Sequence, residues 1–374
     1  MLNKSNINKI KIVTGIILLG IGITLSIMNF KTSKGINIES WDNYYNENNI
    51  VFFYENSLNE NLKMLDSTYK VNEIVNKETS EIDKVLKTVD IINSIVECDD
   101  VRETEFNSGY EILLEKGQGK KVSQRDMAII ERDMLTTIGI NARVGIFRKS
   151  NAQFAKNPED YVVEYWSTKY NKWIMIDFID KGYFLEGNNK LSSIEVLTKD
   201  IKKIAYLGKS SQKDYKNKIK YYLNSYSLPI DNTMFGSKSN SYITYVKDNK
   251  SVEIKLENRF LPPTIFTEKL ELFEKSPFDK QVGTDEKAYI ILAKSNDTND
   301  SSKDSNTIKL VIGGFKDDKI MDTYYLNIND SGYEEVNKYK EIELDKGVTK
   351  IELSLDRTNT VSSVVINKGK WYLQ

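Results

Sequence analysis

The apolar residues of this chain change their spacing near Gly139, and this change limits the possible folds more than any other feature of the sequence. Before it, apolar residues in 82–96 recur every three or four positions, as on one face of an amphipathic helix. Ser80 and Asp83 form a Ser-x-x-Asp capping box at the start of that helix. A second apolar stripe begins after Ser123 and ends at Gly139, a residue type that commonly terminates helices. The sequence therefore predicts two amphipathic helices, each of which must bury one face.

Beyond Gly139 the pattern becomes typical of β-strands. The runs 143–148, 161–166 and 172–177 are rich in β-branched and aromatic residues, and a short polar turn separates the last two. Weaker helical patterns follow at 193–206 and 212–223. Helices followed by an antiparallel meander predict an α+β domain, with the helices packed on an antiparallel sheet.

The last third of the chain predicts a different, all-β architecture. Pro229 and a segment rich in Gly, Ser and Asn at 236–241 mark a boundary. Beyond this boundary, short apolar or alternating runs are separated by polar turns, at 252–256, 289–292, 308–312, 324–328, 351–355 and 361–366. Several short strands of this kind predict a β-sandwich.

A charge-free and mostly apolar stretch covers 12–30. As a helix that rises about 1.5 Å per residue, it would extend about 29 Å, close to the thickness of the hydrocarbon core of a bilayer. Lys4, Lys9 and Lys11 precede it, which predicts a cytoplasmic N-terminus with the remaining chain outside. We expect a single-pass signal anchor in the cell membrane. The alternative is a cleaved signal peptide, although no small-x-small cleavage site follows the apolar run.

Histidine is absent from the chain, and cysteine occurs once, as Cys98. Ser-His-Asp and Cys-His couples need an imidazole to accept the proton of the nucleophile, and zinc sites are built from His and Cys ligands. The sequence therefore predicts neither kind of site, and we expect no metal and no cofactor. A single cysteine also excludes an intramolecular disulfide. Cys98 itself has the pattern of a small buried apolar residue rather than of a reactive thiol.

The charges of the chain are balanced. Lys and Arg together number 53 against 54 Asp and Glu, which leaves a net charge of −1. The basic residues do not cluster into a stripe, so nucleic acid is not an expected partner.

Four short segments within 109–177 carry a family resemblance. The segment 123–130 reads SQRDMAII and leads into 139–144, which reads GINARV. Downstream, 160–166 reads DYVVEYW and 173–177 reads WIMID. In order and spacing these segments resemble the transglutaminase-like family of papain-type cysteine enzymes. In that family, a helix opened by the catalytic cysteine leads into Gly-Ile-Pro-Ala-Arg, and His-x-Trp-x-Glu-Val and Trp-x-x-x-Asp strands follow.

The resemblance places the family's catalytic positions on side chains that do not suit its chemistry. The cysteine position falls on Gln124, or on Ser123 if the alignment shifts by one residue, and the histidine position falls on Asp160. The third member is retained as Asp177. A glutamine amide is not a nucleophile, and a serine hydroxyl without an imidazole has no suitable base near pH 7. The resemblance therefore implies a pseudoenzyme, and it covers 56–225 only loosely outside the four segments.

Several residues of these segments are candidates for the walls of the former substrate cleft, namely Ser123, Tyr161, Glu164, Trp166 and Trp173. Each also has a structural interpretation. Ser123 suits a helix N-cap, the aromatic residues suit sheet packing, and Glu164, like Asp177, suits a hydrogen-bond acceptor that supports the fold.

The acidic residues leave one enzymatic alternative open. Asp126, Glu131, Asp160 and Asp177 offer carboxylates that could pair for glycosidase-type chemistry. A chain with this many acidic residues contains such pairs by chance, so this alternative stands behind the pseudoenzyme.

These observations predict a chain of four segments. They are a cytoplasmic tip with a transmembrane signal anchor at 1–30, a juxtamembrane segment at 31–55, a degenerate transglutaminase-like domain at 56–228, and a β-sandwich-like domain at 235–374. The predicted function is a binding or assembly module at the cell envelope, with a peptide, glycan or protein partner. A purely structural envelope scaffold and, behind it, a carboxylate-dependent hydrolase are the alternatives.

Overall fold

The computed structural model describes residues 32–117, 119–150, 157–236, 239, 241–247, 264–280, 283–294 and 308–372. The predicted membrane segment at 12–30 and the predicted strand at 252–256 lie outside these ranges. Within them, no helix combines the length and the apolar character that a membrane crossing requires.

The helices of the described residues fall mainly in the first two thirds of the chain. They are α1 (Glu60–Tyr69), α2 (Val71–Val75), α3 (Glu81–Ile95), α4 (Gly109–Lys116), α5 (Gln124–Thr137), α6 (Ser193–Thr198), α7 (Gln212–Ile219) and α8 (Glu271–Glu274).

The two amphipathic helices predicted from the sequence are confirmed as α3 and α5. The side chain of Ser80 accepts a hydrogen bond from the backbone N–H of Asp83 and so caps α3. Gly139 follows α5 with a φ of +81°, a left-handed conformation that glycine adopts without steric cost. The helix predicted at 193–206 is shorter than expected and ends at Thr198. Asp200 follows the end of this helix, and its carboxylate accepts a hydrogen bond from the backbone N–H of Lys202, which closes a turn instead of continuing the helix.

The strands of the described residues are β1 (Thr32–Trp41), β2 (Phe53–Tyr54), β3 (Glu97–Cys98), β4 (Lys121–Val122), β5 (Ala142–Arg148), β6 (Glu159–Ser167), β7 (Lys172–Ile176), β8 (Tyr183–Glu186), β9 (Asn189–Lys190), β10 (Ala205–Leu207), β11 (Ser225–Pro229), β12 (Asp231–Asn232), β13 (Tyr242–Val246), β14 (Thr264–Thr267), β15 (Tyr289–Lys294), β16 (Ile308–Lys316), β17 (Lys319–Ile320), β18 (Thr323–Ile328), β19 (Tyr333–Asn337), β20 (Tyr339–Leu344), β21 (Gly347–Ser354) and β22 (Thr360–Tyr372).

A six-stranded sheet organises the first part of the molecule. Its strand order is β14-β13-β11-β5-β6-β7, and every pair is antiparallel except β13 with β14. The three strands predicted at 143–148, 161–166 and 172–177 are confirmed as its neighbours β5, β6 and β7. Gly145 allows a close approach within this sheet, since a Cβ atom there would lie 2.1 Å from the hydroxyl of Tyr226. The chain is therefore an α+β protein, as the change of spacing predicts.

Each face of the six-stranded sheet covers its own apolar core. On one face, α3, α4 and α5 pack through residues such as Val89, Met127 and Ile130 against Val144 and Val163 of the sheet. On the other face, Phe147, Val162 and Met175 of the sheet pack with α6, α7 and the segment around α8. Helix α5 is consequently buried between the sheet and the other helices.

The C-terminal part contains two antiparallel sheets with a common core. One has the order β1-β22-β21-β18-β19, and in the other β16 pairs with β15, β17 and β20. Ile290 and Ile312 from the second sheet are buried with Leu326, Ile351 and Val364 from the first.

The boundaries of these sheets differ from the segments read off the sequence. Strand β1, which lies in the predicted juxtamembrane segment 31–55, is the edge of the C-terminal five-stranded sheet and pairs with β22. Strands β13 and β14, which lie in the predicted domain 235–374, complete the six-stranded sheet. The pairing of β1 with β22 joins strands that are far apart in the chain. The pairing of β11 with β13 crosses the Gly- and Ser-rich segment that marks the predicted boundary. Local periodicity identifies neither pairing, so composition alone places the boundaries elsewhere.

Candidate functional site

Ser123 fixes the start of α5. Its Oγ accepts a hydrogen bond from the backbone N–H of Asp126 at 3.0 Å, and the side chain is buried. This is the N-cap interaction predicted as the structural interpretation of Ser123. Gln124 follows as the first helical residue, so its side chain lies at the N-terminal end of α5.

Gln124 and Asp160 are in direct contact. The Gln124 amide donates from Nε2 to Asp160 Oδ1 at 3.0 Å, and Nε2 also lies 3.3 Å from the carbonyl oxygen of Tyr161. Lys218, from α7, approaches the same carboxylate oxygen at 3.5 Å. The contact joins two positions that are 36 residues apart in the chain.

Asp177 is held by its own surroundings. Its Oδ1 accepts from the backbone N–H groups of Ile179 and Asp180, both at 2.8 Å, and its Oδ2 accepts from the hydroxyl of Tyr215 at 2.7 Å. The carboxylate is buried, and its charge raises the pKa of the neighbouring Asp160. Asp177 thus influences Asp160 through its charge. These hydrogen bonds of Asp177 stabilise the turn after β7 and attach α7 to it.

A pocket of about 310 Å³ opens at the Gln124–Asp160 contact, and we call it the Asp160 pocket. Its lining residues are Cys98, Asp99, Asp100, Val101, Glu103, Ser123, Gln124, Arg125, Asn157, Glu159, Asp160, Tyr161, Ile179, Lys218 and Tyr222. Five of them are acidic and two are basic, so the lining favours cationic groups.

The carboxylate of Asp160 is the buried polar centre of this pocket. Burial raises its pKa, the cation of Lys218 lowers it, and the charge of Asp177 raises it again, with a net upward shift. Oδ2 of Asp160 has no hydrogen-bond partner in the described part of the chain, although the residue is only 3% exposed. A buried acceptor of this kind is costly unless a ligand or water satisfies it.

The pKa of the Lys218 ammonium group is also shifted upward. Burial lowers its pKa, but the negative charges of Asp160 and Asp177 outweigh that effect, so the net shift is upward. Lys218 therefore stays a cation near neutral pH and does not supply a neutral amine nucleophile.

Cys98 lines the same pocket, which the sequence did not predict. Burial, followed by the negative charge of Asp177, raises the pKa of its thiol to about 11. The thiolate is the reactive form of cysteine, so this thiol is protonated and weakly nucleophilic near neutral pH. The side chain also packs against the helical core.

Glu164 and Trp173 lie in a second polar cluster around Arg143, which we call the Arg143 cluster, and Trp166 packs against its edge. Arg143 and Glu164 are fully buried and form an ion pair with Nη2–Oε2 at 2.7 Å. Tyr226 donates to Glu164 Oε2 at 2.8 Å, and the guanidinium of Arg143 lies 4.0 Å from the ring centroid of Trp173. Glu164, Trp166 and Trp173 therefore do not line the Asp160 pocket, whereas Ser123 and Tyr161 do.

Lys218, Tyr215 and Tyr222 are the site residues that the sequence reasoning missed. They recur at spacings of three and four, which places them on one side of the predicted helix 212–223. That spacing was the available signal, but nothing local indicates that this side faces β6.

The described residues contain no group of three or more His, Cys, Asp or Glu side chains arranged to hold a metal ion. The Asp160 pocket presents charged and hydrogen-bonding side chains.

Searches with this sequence found no matching family model and no matching curated protein.

Proposed function

We propose that this chain is a membrane-anchored pseudoenzyme with a degenerate transglutaminase-like domain and a β-sandwich-like C-terminal domain. In this proposal, 12–30 anchors the chain in the cell membrane and the remainder acts outside it as a binding or assembly module. The partner is a peptide, a glycan or a protein of the cell envelope, and it contacts the Asp160 pocket.

The observation that carries the proposal is that Asp160 lines an open pocket while its buried Oδ2 has no hydrogen-bond partner among the described residues. A buried carboxylate oxygen without a donor destabilises a fold, so its presence suits a site that a ligand completes. Neighbouring buried carboxylates such as those of Glu164 and Asp177 have donors for both oxygens. Glu131 Oε2 also lacks a partner among the described residues, but of the two only Asp160 lines the pocket, and this supports a binding role for Asp160.

The groups at this site also argue against acyl transfer. The Gln124 amide is not a nucleophile, and the Ser123 hydroxyl oxygen accepts the capping N–H of α5 with no imidazole beside it. The raised pKa of Cys98 keeps that thiol protonated. A helix N-terminus and a carboxylate therefore remain at the family's catalytic positions, and both suit recognition.

The experiment is photo-crosslinking in living cells from a pocket position. Replacing Tyr222, which lines the pocket, by p-benzoylphenylalanine in the full-length chain should yield a covalent adduct with an envelope component. Tyr221 is the matched control, because it neighbours Tyr222 in the chain but is 63% exposed and does not line the pocket. Adducts from Tyr222 alone support the proposal. Equal yields from both positions, or none, would favour the scaffold, and turnover of a glycan lost in Asp160→Asn would favour the carboxylate-dependent hydrolase.

A further inference from the structure

A second pocket adjoins the Asp160 pocket. It has a volume of about 230 Å³ and shares Arg125 and Tyr161 with the first pocket, so these two side chains form a common wall. Sites for small ligands usually measure about 300–1,000 Å³. One pocket lies below this range and the other at its lower end, whereas the two together fall well within it.

The second pocket presents donors where the Asp160 pocket presents acceptors. Arg132 donates from Nε to Asp133 Oδ1 at 2.8 Å and from Nη2 to the carbonyl oxygen of Asn107 at 2.6 Å. Arg132 lines this pocket and is only 6% exposed. The hydroxyl of Ser241, a residue only 1% exposed, also has no partner among the described residues. A buried cation and a buried hydroxyl that lacks a partner among the described residues therefore line this pocket.

The acidic residue of the second pocket is engaged in its own turn. Asp231 accepts from the backbone N–H of Thr233 at 2.9 Å and from that of Ser239 at 3.3 Å. Both of its carboxylate oxygens therefore accept hydrogen bonds from backbone N–H groups of this turn. Tyr242 also lines this pocket: burial raises the pKa of its hydroxyl, the charges of Arg125, Arg148 and Arg132 lower it and that of Glu159 raises it, with a net upward shift.

We propose that the two pockets form one site for a short peptide-like ligand that carries an ammonium group and a carboxylate. The ammonium group donates to Asp160 Oδ2, and the carboxylate accepts from Arg132 and Ser241. The chain between the two charges passes Arg125 and Tyr161. This inference rests on the proposed function, since it assigns a ligand class to the same site.

The charge pattern explains why a ligand with both charges is favoured over one with a single charge. A ligand with only an ammonium group leaves the Ser241 hydroxyl without a partner, and a ligand with only a carboxylate leaves Asp160 Oδ2 without a donor among the described residues. Unpaired buried polar groups are a strong source of discrimination between related ligands.

The test is calorimetric titration of the full-length protein with three probes of nearly equal size. N-acetyl-alanyl-lysine carries both charges, its C-terminal amide lacks the carboxylate, and N-acetyl-alanyl-norleucine lacks the side-chain ammonium group. We expect the first probe to bind at least about tenfold more tightly than either of the others. Singly charged probes that bind as tightly as the first would overturn the inference.

Two variants assign the charges to the two pockets. Asp160→Asn should abolish the preference for the lysine probe over the norleucine probe, while the preference for the free carboxylate over the amide remains. Arg132→Gln should do the reverse. Because Arg132 pairs with the buried Asp133, that variant risks misfolding, and Ser241→Ala provides a milder second test with an expected loss of about threefold to tenfold for the carboxylate probes only. Glu334→Gln, an exposed change on the C-terminal sheet, is the control and should bind all probes normally.

The outcomes separate this inference from the proposed function. If no probe binds, the inference is wrong, while crosslinking from Tyr222 still decides whether the Asp160 pocket has an envelope partner. If Asp160→Asn and Ser241→Ala leave every probe affinity unchanged, the ligand binds elsewhere and the inference is equally overturned.

Discussion

The Arg143 cluster and the Asp160 pocket both contain a buried carboxylate from β6, but the two carboxylates differ in how many hydrogen bonds they accept. Glu164 receives hydrogen bonds from Arg143, Tyr226 and the backbone N–H of Ser193. Asp160 receives one from Gln124 on Oδ1 and none on Oδ2 from the described residues. This difference is the basis for the proposal that Glu164 serves the fold and that Asp160 binds a ligand.

Replacement of each carboxylate by its amide should change the free energy of unfolding by very different amounts at the two sites. Glu164→Gln leaves the buried guanidinium of Arg143 without its charge partner, which should lower the free energy of unfolding by about 3–5 kcal/mol. Asp160→Asn removes a buried charge whose ionised form is already disfavoured, so its effect should stay within about 1 kcal/mol in either direction. Denaturant titration of the two full-length variants measures both values, and similar losses in both would show that the pocket carboxylate is structural.

The reactivity of Cys98 tests whether the pocket holds a nucleophile. A thiol pKa of about 11, against 9.0 for an unperturbed thiol, reduces the thiolate fraction on the order of a hundredfold. Alkylation by iodoacetamide at pH 7.5 should be slower than that of free cysteine by about this factor. The same thiol should react at the ordinary rate after unfolding in urea. Fast alkylation of the folded chain would make Cys98 a candidate nucleophile again.

A third buried carboxylate, Glu131, should make the stability of the fold depend on pH. It lies in α5, where Thr88 is its one hydrogen-bond donor within the described ranges, and burial raises its pKa to about 8 from 4.5. In the unfolded chain Glu131 is ionised above about pH 5, while in the folded chain it keeps its proton until about pH 8. The folded state therefore binds more protons in this window, and stability falls as pH rises.

The expected loss from Glu131 is about 2 kcal/mol between pH 6 and pH 8. Glu131→Gln cannot ionise and should remove this part of the pH dependence. The difference between wild type and variant isolates Glu131 from other groups, such as Asp318, whose pKa burial raises to about 7. Parallel stability curves for the two proteins would contradict the assignment.

The sequence predicted the elements that local patterns determine. The capping residues Ser80 and Ser123 and the terminating Gly139 mark α3 and α5 closely, because each acts within a few residues of the helix end. The strands β5, β6 and β7 are equally visible, since their apolar and aromatic residues are continuous. These elements carry Gln124, Asp160 and Asp177.

The parts that were not predicted depend on contacts between distant segments. The pairing of β1 with β22 spans nearly the whole chain, and the placement of Lys218 beside Asp160 depends on how α7 packs. Trp166 and Trp173 have the residue types of a ligand platform. Only their contacts with each other and with Arg143 show that they are packed in the interior.

In the proposed function, Gln124 and Asp160 occupy the positions of the catalytic cysteine and histidine of a transglutaminase-like site. The most direct test is the thiol pKa of Gln124→Cys in a Cys98→Ala background, measured by the pH dependence of alkylation with and without Asp160→His. A thiol at the start of α5 beside an imidazole should have a pKa lower by at least about one pH unit than the thiol of the single replacement. The same pKa in both proteins would contradict the claim, because it would show that residues 124 and 160 do not form a nucleophile and base pair.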